Sequence, residues 1–202
     1  MIRTLLPLCV CTVLLAGCAT SLPDSWIAPE AVRMPNVLSI HVPEAGIENP
    51  SDLRDDLRLD SSGFRGWIKP FLREQIALAT RIDTILWVDS LALVRDTSAP
   101  GWDRYPLERP ATKGGRGWIL VLTGLKAGRV AHKGRMVDGI EPETEALRME
   151  VNYLLYERVS GRNMASGRAV VASPFRASTD RSNWEDAASA LGLRIGERLP
   201  RR

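Results

Sequence analysis

The stretch ALRMEVNYLLYERVSGRNMASGRAVVASPF, residues 146–175, decides the fold class. In its first half Leu147, Met149, Val151, Tyr153 and Leu155 take alternate positions, with Arg148, Glu150 and Asn152 between them. Successive side chains of a strand point to opposite faces, so this alternation marks a strand with one buried face. VSGRN, residues 159–163, supplies turn chemistry, and MASGRAVVASPF returns the chain as a neighbouring strand. A hairpin with one apolar face needs a covering layer.

The flanking sequence provides that layer. After residue 181 the chain reads SNWEDAASALGLRIGERL, with Ser182 and Glu185 spaced as a capping box. Trp184, Ala187, Ala188, Leu191, Ile195 and Leu199 then fall on one helical stripe. Gly192 and Gly196, four apart, would let this helix approach a neighbour closely. Upstream, Phe64, Trp67, Ile68, Phe71, Leu72, Ile76 and Ala79 share the same period. Pro70 would break a helix interior, so the main helix is expected to begin there, after a turn that places Trp67.

Further strands are expected at residues 36–42, where Leu38, Ile40 and Val42 alternate with Ser39 and His41, at 83–94, and at WILVLTGLKA from Trp118. Residues 96–117 hold three prolines and four glycines and read as a long surface loop. The expected class is α+β: a small, mainly antiparallel sheet with two amphipathic helices on one face, in the order β-α-β-β-β-β-α.

All three cysteines stand in LCVCTVLLAGCAT, residues 8–20. Arg3 precedes an apolar run of eleven residues, 5–15, too short for the roughly 20 residues that cross a bilayer as a helix. A basic start, a short apolar core and small residues form a secretory signal. LAGC, Leu15 to Cys18, resembles the lipobox of bacterial lipoproteins. That resemblance implies a signal peptide over 1–17, lipid on Cys18, and loss of Cys9 and Cys11 with the signal. Alanine at position 19 implies export to the outer membrane. Residues 18–35 carry Pro23, Pro29 and Pro35 and read as a tether, reaching roughly 55 Å if extended, ahead of a single periplasmic domain over 36–202.

Charge excludes one class of partner. With 27 basic and 24 acidic residues the chain is nearly balanced, which argues against nucleic-acid binding. No nucleophile elbow or phosphate-binding glycine loop is present. His41 and His132 have no second histidine or cysteine at metal-ligand spacing, so no metal site and no cofactor are expected. His41 is expected on the solvent face of its strand. The cluster Asp52, Asp55, Asp56 and Asp60 reads as a solvated loop, because it lacks the ligand pattern of a calcium loop. Arg129, His132, Lys133 and Arg135 lie between two strands, either as a plain exposed turn or as contacts for lipid phosphates; Arg129, Lys133 and Arg135 are the candidate partner contacts.

WIKPFLREQIALA, residues 67–79, resembles the W-x-x-P-L helix start of ABC-type transport auxiliary lipoproteins, and the closing helix is similar to theirs. The lipopolysaccharide-assembly lipoprotein that plugs an outer-membrane barrel is a near rival, on its paired strands followed by a C-terminal helix. Either resemblance implies a non-catalytic accessory protein held at the outer membrane and joined to envelope transport or assembly proteins. A lipoprotein activating cell-wall synthases and a lipid-tethered periplasmic enzyme are the remaining alternatives.

Overall fold

The computed structural model describes residues 25–43, 47–48, 53–100, 102–111, 116–133, 143–174 and 181–202. It is a mixed α+β fold. A seven-stranded sheet carries two long helices on one face, and a separate two-stranded ribbon packs against the other. The strands are β1 Ser25–Ile27, β2 Val37–His41, β3 Ile47–Glu48, β4 Thr84–Trp87, β5 Leu93–Arg95, β6 Glu108–Pro110, β7 Trp118–Lys133, β8 Glu143–Glu157 and β9 Arg162–Pro174. The helices are α1 Ser61–Thr80 and α2 Arg181–Gly196, and a single π-helical turn spans Leu53–Leu57. The main sheet runs β1-β9-β8-β7-β2-β4, with β3 paired to β7 and the ribbon formed by β5 and β6.

The hairpin read from residues 146–175 is the centre of this sheet. β7, β8 and β9 pair antiparallel in long register, and Gly161, at φ 71°, turns β8 into β9. Leu147, Met149, Val151, Tyr153 and Leu155 all face the helices and are buried. β2 instead pairs parallel with both β7 and β4, so β2, α1 and β4 form a crossover unit at one side of the sheet.

α2 closes the core as its stripe requires: Trp184, Ala187, Ala188, Leu191, Ile195 and Leu199 are buried. Its described residues start at Arg181, whose Nε donates to Glu185 at 3.1 Å, with Ser182 in the first turn. Gly192 and Gly196 face α1. A Cβ at Gly196 would lie 2.6 Å from the Ala79 Cβ, and one at Gly192 would lie 3.1 Å from the Leu72 Cα. The two helices are close because those glycines lack side chains.

α1 corrects the expectation at Pro70, which lies inside a continuous 20-residue helix. Proline in a helix interior removes a hydrogen bond and costs about 3 kcal/mol. Here it is exposed, while Phe64 and Ile68 before it and Leu72 and Ile76 after it bury on one stripe and hold the two halves in line. Asp60 caps the N-terminus by accepting from the Gly63 N–H at 2.7 Å, so this member of the acidic cluster has a structural task.

Two other expectations change. The segment read as a tether up to residue 35 joins the domain from Ser25: β1 pairs antiparallel with β9, and Ala28, Ala31 and Met34 are buried. Residues 96–117 are not simply surface. Ala99 and Leu107 from that stretch bury against Leu154 on the face of the sheet away from the helices. Beside them Val88, Leu91 and Leu93 cover Ile119, Val121 and Tyr156. β7 therefore begins with both faces covered.

Candidate functional site

The second face of the sheet positions the candidate site. Even-numbered residues of β8 point there, and covering chain from residues 88–110 ends above its middle. Where the cover stops, the floor turns polar: Thr123, Lys126, Glu150, Asn152 and Arg168 meet Tyr105 from the cover around a cleft of about 420 Å³. A β-bulge between Thr123 and Lys126 shapes that floor, and Gly124 takes φ 60° within it. A bulge bends its strand and re-aims side chains, which here opens room beside Asn152.

Glu150 is the electrostatic centre. Its Oε2 accepts from Arg168 at 2.6 Å and from Arg148 at 2.8 Å, and its side chain is only 12% exposed. Burial pushes its carboxyl pKa upward, but the Arg168 hydrogen bond and charge, with Arg148 and Lys126, outweigh burial and hold it below the ordinary value. The group is thus an ionised, bridged carboxylate. Such a carboxylate fixes two guanidinium groups and is poorly placed to carry protons at neutral pH. The cleft can take a polar molecule by hydrogen bonding and charge. Among the described residues there is no group of three or more metal-ligating side chains.

The residues singled out from sequence are dispersed. Cys18 and Arg135 lie outside the described residues. Arg129 and Lys133 belong to β7, which runs on to Lys133, so what read as a turn is strand up to that point. Arg129 is engaged inside the protein: its guanidinium grips the Asp56 carboxylate, with Nε donating to Oδ2 at 3.1 Å. Trp184 Nε1 donates to the same oxygen at 3.1 Å. Asp56, expected in a solvated loop, has a side chain only 5% exposed and joins the π turn, β7 and α2. Its position is set by two donors distant in sequence, which local polarity does not reveal.

His41 is also corrected. It is buried, with Nδ1 2.6 Å from the Val88 carbonyl oxygen, under the chain that covers the second face. Trp67 is half-buried, stacked on Phe64 at 5.3 Å and tilted against Phe71 at 4.9 Å, so it packs the helix flank. It lies mid-helix, and its W-x-x-P spacing is no helix start. The cleft itself was missed by sequence reasoning; its one signal was the polar half of the β8 alternation, Arg148, Glu150 and Asn152.

No family model and no curated protein matches the chain. Among solved structures, a PelC dodecamer from Paraburkholderia phytofirmans is similar at TM-score 0.44, with 13% identity over 88% of this chain and 96% of that one. A variant of that dodecamer with one leucine replaced by methionine is similar at TM-score 0.45, with 12% identity over 88% and 95%. A minor lipoprotein from Acinetobacter baumannii is similar at TM-score 0.41, with 11% identity over 83% and 98%. At that distance these likenesses assign no task to this chain.

Proposed function

We propose that this chain is an exported bacterial lipoprotein that works by binding, as an accessory protein of an envelope lipid-transport assembly. The observation that carries the reading is LAGC at Leu15 to Cys18, behind a basic start and a short apolar run, with no cysteine after it. Thioether formation needs a thiolate nucleophile, and the sequence keeps a thiol at that one position beyond the apolar core. Ala19 favours sorting to the outer membrane, with the domain on the periplasmic side. The polar cleft supports binding over turnover, because its central carboxylate is locked between two arginines. The resemblance of the closing helix, residues 182–199, to that of ABC-type transport auxiliary lipoproteins supports the transport assignment.

The test is complementation of a deletion strain by the wild-type chain and by Cys18→Ser, scored by outer-membrane permeability to large antibiotics and by the lipid content of the two membranes. Restoration by the wild type only, with lipids redistributed in the deletion strain, supports the reading. An unchanged lipid distribution removes the transport assignment, and full rescue by Cys18→Ser removes the need for an anchor.

A further inference from the structure

Resting on the proposed anchor at Cys18, the pairing register fixes which end of the domain meets the membrane. Ser25 pairs with Gly167, which pairs with Tyr153, which pairs with Leu122. Passing back from Ile27 to Ser25 moves along β8 from Leu155 toward Tyr153, hence toward the end where β7 finishes and β8 begins. The anchor therefore leaves the sheet on the side of the β7–β8 hairpin end.

Only seven peptide links separate Cys18 from Ser25. Whatever path they take, seven residues span at most about 25 Å. Laid straight along the sheet, the same register would bring Cys18 level with Pro174, Ala146 and Val130. The hairpin continues past that level for three more rungs, to Lys133 paired with Glu143. At about 3.3 Å per residue, this end projects roughly 10 Å beyond the farthest point the anchor reaches in that direction. Any bend in the linker draws the domain closer still.

We infer that the β7–β8 end of the sheet rests against the headgroup layer of the membrane that holds the Cys18 lipid, with the β8–β9 turn facing away from it. The anchor acts as a short strap that fixes orientation, in contrast to the long tether read from the proline content of residues 18–35. The candidate cleft, on the second face and bordered by Lys126 and Glu150, then opens sideways near the membrane surface instead of toward the middle of the periplasm.

The experiment uses the full lipidated chain reconstituted in phosphatidylethanolamine–phosphatidylglycerol vesicles that contain a headgroup-spin-labelled lipid. Because Cys18 is acylated, a single introduced cysteine takes a fluorophore uniquely. Ala131→Cys places it at the exposed hairpin end, and Val159→Cys places it at the 70% exposed β8–β9 turn. Spin-labelled headgroups are expected to quench the fluorophore at Ala131 several-fold more than that at Val159. Inserting about twelve Gly/Ser residues after Thr20 adds flexible reach and should lower quenching at Ala131 to the Val159 level. Equal quenching at both positions, or quenching at Ala131 that ignores the insertion, overturns the orientation. Fatty-acid labelling of the same preparations separates the two levels: lipid present with equal quenching overturns the orientation alone, and lipid absent overturns the anchor and the orientation together.

Discussion

Gly196→Ala tests whether the helix layer is held as described. In an open helix interior, replacing glycine by alanine gains about 1 kcal/mol through helix propensity. At Gly196 the new Cβ would lie 2.6 Å from the Ala79 Cβ and 3.3 Å from the Ile76 Cα. The first contact is well inside van der Waals separation, and neither atom belongs to the far end of a flexible side chain. α1 and α2 must separate, against a core in which Trp184, Leu191, Ile195, Leu72 and Ile76 are all buried. Overpacking of this kind costs about 1–3 kcal/mol. Set against the propensity gain, the net expectation is a loss of up to about 2 kcal/mol, read as a lower midpoint in urea melts of the soluble domain. Gly66→Ala on α1 is the control: nothing lies within 4 Å of its added Cβ, so it should gain about 0.5–1 kcal/mol. Ala79→Gly combined with Gly196→Ala should recover stability relative to the sum of the single changes. A Gly196→Ala protein as stable as the Gly66→Ala control would refute the close helix approach.

Leu191→Ala removes a fully buried side chain from the α2 stripe and should cost about 2–5 kcal/mol, whereas Arg194→Ala, half-exposed, should stay within about 0.5 kcal/mol of wild type in the same melts. Glu150→Gln leaves Arg148 and Arg168 without their carboxylate and should destabilise by about 1–3 kcal/mol near neutrality. Since the native carboxyl pKa is lowered, its contribution is fully present above about pH 4.5 and is lost as pH falls through the native value, so the wild-type and variant midpoints should converge in acid. Burial pushes the Tyr153 hydroxyl pKa up to about 12 from an ordinary 10.0. The unfolded chain then releases that proton first, and stability should fall between those two pH values by up to about 1.4 kcal/mol per unit; Tyr153→Phe should flatten that part of the difference curve.

The elements legible in the sequence are those whose period is long and whose partner is close. β8 and β9 announce themselves through alternation and a turn, and α2 through its stripe and its pair of spaced glycines. β1 was hidden because three residues, Ser25 to Ile27, carry no period and pair with a strand about 140 positions later. Pro70 misled because a local rule gave way to tertiary packing: buried residues on both sides keep α1 continuous around an exposed proline. The second face escaped for a related reason. Its cover buries isolated apolar residues, Ala99 and Leu107, among prolines and charges that read locally as loop. His41 and Asp56 followed, since each is buried by chain that arrives from elsewhere. The cleft was legible only as the polar half of β8; its depth depends on the bulge at Gly124 and on where the cover ends, and neither has a period to detect.

The most direct test of the lipid-anchored reading is the intact mass of the mature protein extracted from membranes, with its N-terminal peptide sequenced by fragmentation. The account predicts a chain that begins at Cys18 and carries diacylglyceryl and N-acyl groups on that residue. A mature chain that begins elsewhere, or one with an unmodified Cys18, contradicts it.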